Sequence, residues 1–519
     1  MTTLPPGSQL QMPGDLPASP ARRTVLRGSA TATALALLGS SALLAACGGG
    51  DDDNDTGTGT GPGTGPSAPG ATVPAPTLVG RAILPADSYV AGPTSGQFVS
   101  GGDLDRATAT YGYRLPFVGK QPMQGFSAVI PGPIAGTFYA MQDNGFGGKA
   151  SSPDALLHIY AIGFDWTRGA VIPVDFTTGA PLTEFSPRSF IRLSDPNRFL
   201  GYRAVADAPN YPGLSVSPAG QTLPVDPSII TNRLLTGGDI DPESLQRDAE
   251  GNFWIGDEFG PFLLKFDRQG RLLAREVQLP NLRAVGANPL VQTSNNPYLA
   301  GNAAAANLPG SGGLESMAIN TSRTRLYAMF EAAITNDDAR RRVINVYNLA
   351  TQNFDARSYS YRVGVSQRVN GSGNLETEIH TVNDMVAISD TAFLVMEKDS
   401  GAGDVRAGFP ASGTSRNAAR VKRIYQVSLD KIDSNGDLIK EEVVDLMNLR
   451  DPDGIGKTAT LAGIYTHPME SMEVVCIVDA STLLVVNDNN YPGGSPSRSK
   501  TKPDDNEFVL IRLPKALPV

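Results

Sequence analysis

The chain has 519 residues, 40% of them hydrophobic, with 56 glycines, 40 prolines and a formal net charge of −9. That is enough apolar material for a large core, and abundant turn formers with little long helical periodicity predict an all-β chain. Nothing resembles a basic stripe, which excludes a nucleic-acid partner. The negative balance fits either plain solubility or an acidic cation-binding pocket.

In chain order, Ala21-Arg22-Arg23-Thr24-Val25-Leu26-Arg27 resembles a twin-arginine export motif. Residues 28–46 form a mildly apolar run, and Leu44-Ala45-Ala46-Cys47 resembles the lipobox at which bacterial lipoproteins are cut and acylated. Residues 1–47 therefore predict a lipoprotein signal, with the protein held by lipid on Cys47 at the periplasmic or outer-membrane face of a bacterial envelope. Residues 48–80 are rich in Gly, Thr, Pro and Asp and predict a disordered tether, leaving 81–519 as the folded domain.

Within that domain one pattern returns: a short strand with a polar opening residue, a turn, a second strand and a polar closing turn. It is found at residues 125–130 with 137–147, and at 241–247 with 252–261, where Glu243 opens and Asp257-Glu258 close. Further copies lie at 313–319 with 325–331, at 383–388 with 392–399, and at 469–475 with 482–490. The later copies recur roughly every 70 to 85 residues, as blades of a β-propeller do. The 116 residues from Ser127 to Glu243 predict a worn blade around residues 156–164 and 189–193. Six blades are expected, seven being the alternative, with long loop insertions. An N-terminal strand is expected to complete the last blade.

Blades turn the openings of their inner strands toward an axis, so Glu243, Glu315, Asp384 and Glu470 are expected to converge, with Asp143, Asp257, Glu258, Glu331, Glu397 and Asp488 in adjoining turns. Crowded carboxylates raise one another's pKa, and either a hard cation or bound protons relieve them. Calcium accepts six to eight oxygen ligands in flexible geometry; its expected ligands are Glu243, Asp257, Glu315, Asp384, Glu470 and Asp488. The plainer alternative is that each acid caps a turn. His158, His380 and His467 lack zinc-ligand spacing. Cys476, in the apolar run 474–478, reads as a buried strand residue, and with Cys47 lipidated no intramolecular disulfide forms. Asp433-Ser434-Asn435-Gly436-Asp437 faintly resembles a calcium loop, but Lys431 stands where the first ligand belongs, so a hairpin turn is expected.

Taken together, Asp-Pro-Glu-Ser-Leu, Phe-Trp-Ile-Gly-Asp-Glu-Phe-Gly-Pro, Gly-Leu-Glu-Ser-Met-Ala-Ile, Phe-Leu-Val-Met-Glu-Lys-Asp and Leu-Val-Val-Asn-Asp-Asn-Asn resemble the phytase-like family, described as carrying the esterase-like activity of phytase. The resemblance covers about residues 125–513 and implies an exported propeller whose Glu and Asp residues serve phosphoester chemistry, commonly with calcium. Ser127 departs from the pattern, standing where an acid would open the first copy. Glu243, Glu258 and Glu397 are then the expected catalytic acids and bases, and Lys398, Arg498 and Lys500 the expected phosphate-binding residues. Arg-His-Gly, Cys-x5-Arg and Gly-x-Ser-x-Gly signatures are absent. The expected protein is a monomer with a small-molecule phosphoester or ester substrate, meeting the membrane only through its lipid. Two rival expectations are a calcium-dependent lactonase-like propeller hydrolase and a non-catalytic surface binding propeller.

Overall fold

Short β-branched and aromatic runs cut by Gly, Asp and Asn turns pair most readily with their chain neighbours. In the computed structural model they form four-stranded antiparallel meanders. The structure describes residues 75–212, 220–370, 372–409 and 417–519, all within one unit, Ala71–Val519. The export motif, Cys47 and most of the tether lie outside the described residues.

The first strand, β1 (Thr77–Leu84), is set aside for the last blade. The first blade is β2 (Phe126–Pro131), β3 (Phe138–Gln142), β4 (His158–Asp165) and β5 (Phe190–Arg192). The second is β6 (Pro242–Arg247), β7 (Phe253–Asp257), β8 (Phe262–Phe266) and β9 (Val277–Gln278). The third is β10 (Ser316–Ile319), β11 (Arg325–Met329), β12 (Arg341–Asn348) and β13 (Tyr359–Arg362). The fourth is β14 (Thr381–Ala387), β15 (Ala392–Lys398), β16 (Lys422–Ile432) and β17 (Leu438–Asp445). The fifth is β18 (Ser471–Asp479), β19 (Thr482–Asp488) and β20 (Asn506–Arg512), with β1 added antiparallel to β20.

The innermost strands β2, β6, β10, β14 and β18 pack each against the next, and β18 returns to β2. The fold is a β-propeller, as expected, but its ring closes with five blades rather than six. The supposed worn blade supplies the outer strands β4 and β5 of the first blade. Residues 193–241, an insertion carrying the short helix Pro227–Asn232, fill the rest of the gap. The expected closure by an N-terminal strand is found, and because β1 begins at Thr77 the tether boundary at residue 80 falls inside it.

Apolar side chains fill the wedges between blades. Leu157, Ile159, Leu245, Phe253 and Ile255 pack between the first and second. Each such buried side chain contributes about 2 kcal/mol. In an up-down meander the second-to-third and fourth-to-next connections leave from one end of the ring, and most of the long insertions emerge there. The sequence 433–437 is the expected hairpin turn between β16 and β17, with Asp433 accepting from the backbone N–H of Asn435 and Asp437.

A carboxylate chamber on the propeller axis

At the insertion-bearing end, each blade sends two side chains to the axis. The first set sits where the inner strands open: Ser127, Glu243, Glu315, Asn383 and Glu473. In four blades this residue is the extra one of a β-bulge. Gly256 faces Ser244 while Asp257 faces Pro242, which leaves Glu243 unpaired; the same slip isolates Ser127, Asn383 and Glu473. A bulge re-aims its side chain, and here it turns a polar group inward. The second set comes from the ends of the second strands: Asp143, Glu258, Glu331, Lys398 and Asp488. With Asp241 these ten residues line a chamber of about 190 Å³. It holds eight carboxylates and one lysine.

Hydrogen bonds fix several of them. Asn144 donates its backbone N–H (3.1 Å) and Nδ2 (2.7 Å) to Asp241. Ser311 donates to Glu258 (3.1 Å), and Asn383 Nδ2 to Glu473 (2.9 Å). The N–H groups of Gly145 and Asn490 hold Asp143 (2.8 Å) and Asp488 (2.7 Å). Gly313 lets the third blade run close under the second, since a Cβ there would collide with the Glu258 carbonyl oxygen. Two donor sets stand out. Carboxylate oxygens of Asp241, Glu243 and Glu258 lie within 4.8 Å of one another, as do those of Glu258, Glu315 and Glu331. Glu258 belongs to both.

Burial first, and then the charges of neighbouring acids, raise Asp143, Glu243, Glu258 and Glu315 well above the usual carboxylate range. Burial also raises Asp241 and Glu473, and lifts Glu331 and Asp488 to about 7. Glu315 Oε2 is buried without a hydrogen-bond partner. Eight acids, an orphaned oxygen and two compact oxygen triads fit a hard divalent cation, which takes all-oxygen ligands and supplies the missing positive charge.

Of the expected site residues, Glu243, Glu258, Glu315, Lys398 and Asp488 meet in this chamber. The others are placed differently. Asp257 is fully buried beneath it, accepting from the N–H groups of Asp241 (2.8 Å) and Gly260 (2.7 Å), and so braces the turn. Asp384 is on the other side of the bulge from Asn383. It accepts from Val475 N–H (2.8 Å), ties β14 to β18, and lines a lower axial hollow of about 170 Å³ with Cys476. Cys476 is the buried strand residue expected. Glu470 lies three residues before the inward-facing Glu473 and lines the groove outside the chamber.

Glu397 points away from the axis because it alternates with Lys398 on β15. There His380 Nδ1 (2.8 Å), Tyr361 Oη (2.7 Å) and Lys440 Nζ (2.6 Å) surround it. Burial opposes its charge, yet the His380 hydrogen bond and the Lys440 ammonium hold it down to about 2. It is an anchor of the blade, not a group of the chamber. Arg498 is committed to Glu507 (2.9 Å) and the Thr466 carbonyl (2.8 Å), beside a separate hollow. Lys500 is exposed, its Nζ 5.9 Å from the Phe409 ring centre. Ser127, Asp143, Asp241, Glu331, Asn383 and Glu473 complete the site, Asp143 and Glu331 being among the expected turn acids. The bulge after the strand opening selects Asn383 over Asp384 and has no local sequence signal, while Glu470 precedes β18 and lies outside the strand that carries Glu473.

Fold and site together define a five-bladed propeller with an acidic chamber on its axis. The phytase-like family, described as the esterase-like activity of phytase, matches residues 121–491, and the chain belongs to that family. An uncharacterized secreted protein of Arthroderma benhamiae is 29% identical over 106 residues, which is 19% of this chain and 20% of that relative. The match thus spans about a fifth of the curated relative. Among solved structures, a luciferin-regenerating enzyme aligns over 77% of this chain and 83% of its own, at 10% identity and a TM-score of 0.30. The periplasmic gluconolactonase of Pseudomonas aeruginosa aligns over 78% and 91%, at 10% identity and a TM-score of 0.26. Among the described residues no helix is long and apolar enough to cross a membrane.

Proposed function

We propose that this protein is a calcium-dependent phosphoester hydrolase, exported and held at a bacterial envelope by lipid on Cys47. The observation that carries the reading is the pairing of two overlapping carboxylate triads with one buried ammonium group, Lys398, in a single small chamber. Export is supported by the twin-arginine-like run and lipobox and by the printed name of the Arthroderma relative.

Asp241, Glu243, Glu258, Glu315 and Glu331 would hold the cation. Bound there, calcium would offset the carboxylate charge and polarise a phosphoryl oxygen. Lys398 Nζ holds a non-bridging oxygen of the substrate. Glu473 and Asp488 stand outside both triads; burial raises both, Asp488 to about 7, which suits Asp488 to general acid–base work near neutral pH. One of them takes the proton of the attacking water as its oxygen bonds phosphorus. The bond from phosphorus to the leaving oxygen breaks, and that oxygen takes its proton from the other, protonated, member of the pair and departs as the alcohol. A lactonase using the same carboxylates would act on an uncharged ester and would not depend on Lys398.

Phosphate release from phenyl phosphate, diester cleavage and lactone opening, each measured in excess calcium and in EDTA, test the reading. Calcium-dependent phosphate release that falls more than about a hundredfold in Glu258→Gln is expected. Equal rates with and without calcium, or no phosphoester turnover by the calcium-loaded protein, would overturn it.

A further inference from the structure

We propose that the chamber holds two divalent cations side by side, with the Glu258 carboxylate bridging them. This rests on the reading of the chamber as a calcium site and adds the number of ions and what each one joins. The acids of the site fall into two sets, one of Asp241, Glu243 and Glu258, the other of Glu258, Glu315 and Glu331. Calcium–oxygen bonds of about 2.4 Å keep any two ligand oxygens of one ion within about 4.8 Å. The oxygens of each set lie within 4.8 Å of one another, so each set is sized for one ion.

The sets differ in origin. Asp241 and Glu243 open the inner strand of the second blade and Glu258 follows its second strand, so one hairpin builds the first set. Glu315 and Glu331 flank the matching hairpin of the third blade. An ion in the second set therefore ties two blades together, beside the bond from Gln246 Nε2 to the Met317 carbonyl (2.7 Å). Glu258 is placed to serve both sets. Ser311 Oγ lies 3.1 Å from one of its carboxylate oxygens and 3.3 Å from the other, which fixes the group, and the Glu258 N–H donates to the Asp241 carbonyl (2.9 Å). The second set carries an independent sign of a ligand. Glu315 is 8% exposed, and its Oε2 has no hydrogen-bond partner among the described residues. A proton shared between two acids, the other relief for crowding, would put a hydrogen bond on the oxygen that takes part. This oxygen makes none. A bridging carboxylate sets two ions about 4 Å apart, the spacing at which paired ions serve in-line displacement at phosphorus.

Calcium is titrated by calorimetry into the full chain after treatment with EDTA, beside hydrogen exchange at residues 313–319. Two ions should bind per chain. Glu243→Gln and Glu315→Gln should each bind one ion fewer than the parent, a difference that leaves out any ion held elsewhere. Ser311→Ala should keep both ions and weaken each about tenfold. Calcium should slow exchange at 313–319 in the parent and in Glu243→Gln but not in Glu315→Gln. One ion or none per parent chain overturns the inference, as does a Glu243→Gln/Glu315→Gln double variant that loses no more than either single one. The parent count involves no substitution, so it decides even where a variant fails to fold. If two ions bind and no phosphoester is turned over, the hydrolase reading falls and the two-ion site stands. If phosphate release reaches its maximum with a single ion bound and no second ion follows, the hydrolase reading stands and the two-ion site falls.

Discussion

Glu331→Gln offers the sharpest check on the chamber, because its effect on stability should change sign with the cation. Burial raises the Glu331 carboxyl from 4.5 to about 7, with the Glu473 charge adding to it and Lys398 opposing. The folded state therefore binds this proton more tightly than the unfolded chain does. Ionisation costs nothing below about pH 4.5, costs more as pH climbs toward 7, and is constant above that. A shift of this size corresponds to about 3 kcal/mol at pH 8, at about 1.4 kcal/mol per pH unit. The side chain keeps some contact with chamber solvent, and screening brings the expectation to about 2 kcal/mol at pH 8 and under about 1 kcal/mol at pH 5. Glutamine keeps the shape and removes the charge. Urea denaturation in EDTA should show the variant more stable than the parent by those amounts. In saturating calcium the order should reverse, since a ligand has been lost. If the variant is destabilised equally in EDTA and in calcium at pH 8, Glu331 is a structural acceptor and the reasoning fails.

Two further outcomes follow from the same geometry. Lys398→Met should lower kcat/KM on a phosphomonoester by about a hundredfold while calcium affinity, read by calorimetry, rises, because the variant removes the one cation competing with the ion in the chamber. Glu397→Gln should cost about 3 kcal/mol in urea denaturation at pH 7, with activity per folded molecule retained. Since its pKa is depressed to about 2, that contribution is whole above about pH 4.5 and is lost as pH falls through 2. The gap between parent and variant should close over that range.

Much of the fold was legible because propeller blades are local structures. Turn residues, strand lengths and the repeated polar openings all lie within a few tens of residues, and they located the inner and second strands of all five blades. The blade count failed because β4 and β5 follow a loop and carry no opening acid, so they read as a unit of their own. In the site, Glu243, Glu258 and Glu315 were readable from motif position alone. Asn383 and Glu473 were not. A single extra residue in β14 and β18 moves the inward-facing position, and nothing in a hydrophobic alternation marks where the slip occurs. Glu397 and Lys398 show the same limit, since either could face the axis until the pairing with β16 and β14 is known. Asp103 and Arg106, on the groove outside the chamber, came from an irregular helical stretch, residues 101–110, that had no repeat to flag it.

The pairing of Thr77–Leu84 with Asn506–Arg512 also sets an order of events. The strand synthesised earliest has no ladder to join until the final one exists, and it waits through more than four hundred residues of chain. Four blades can form meanwhile, but they make an open arc with bare edges. Only when the two ends of the domain find each other do the ten polar side chains from five separate hairpins close into one chamber.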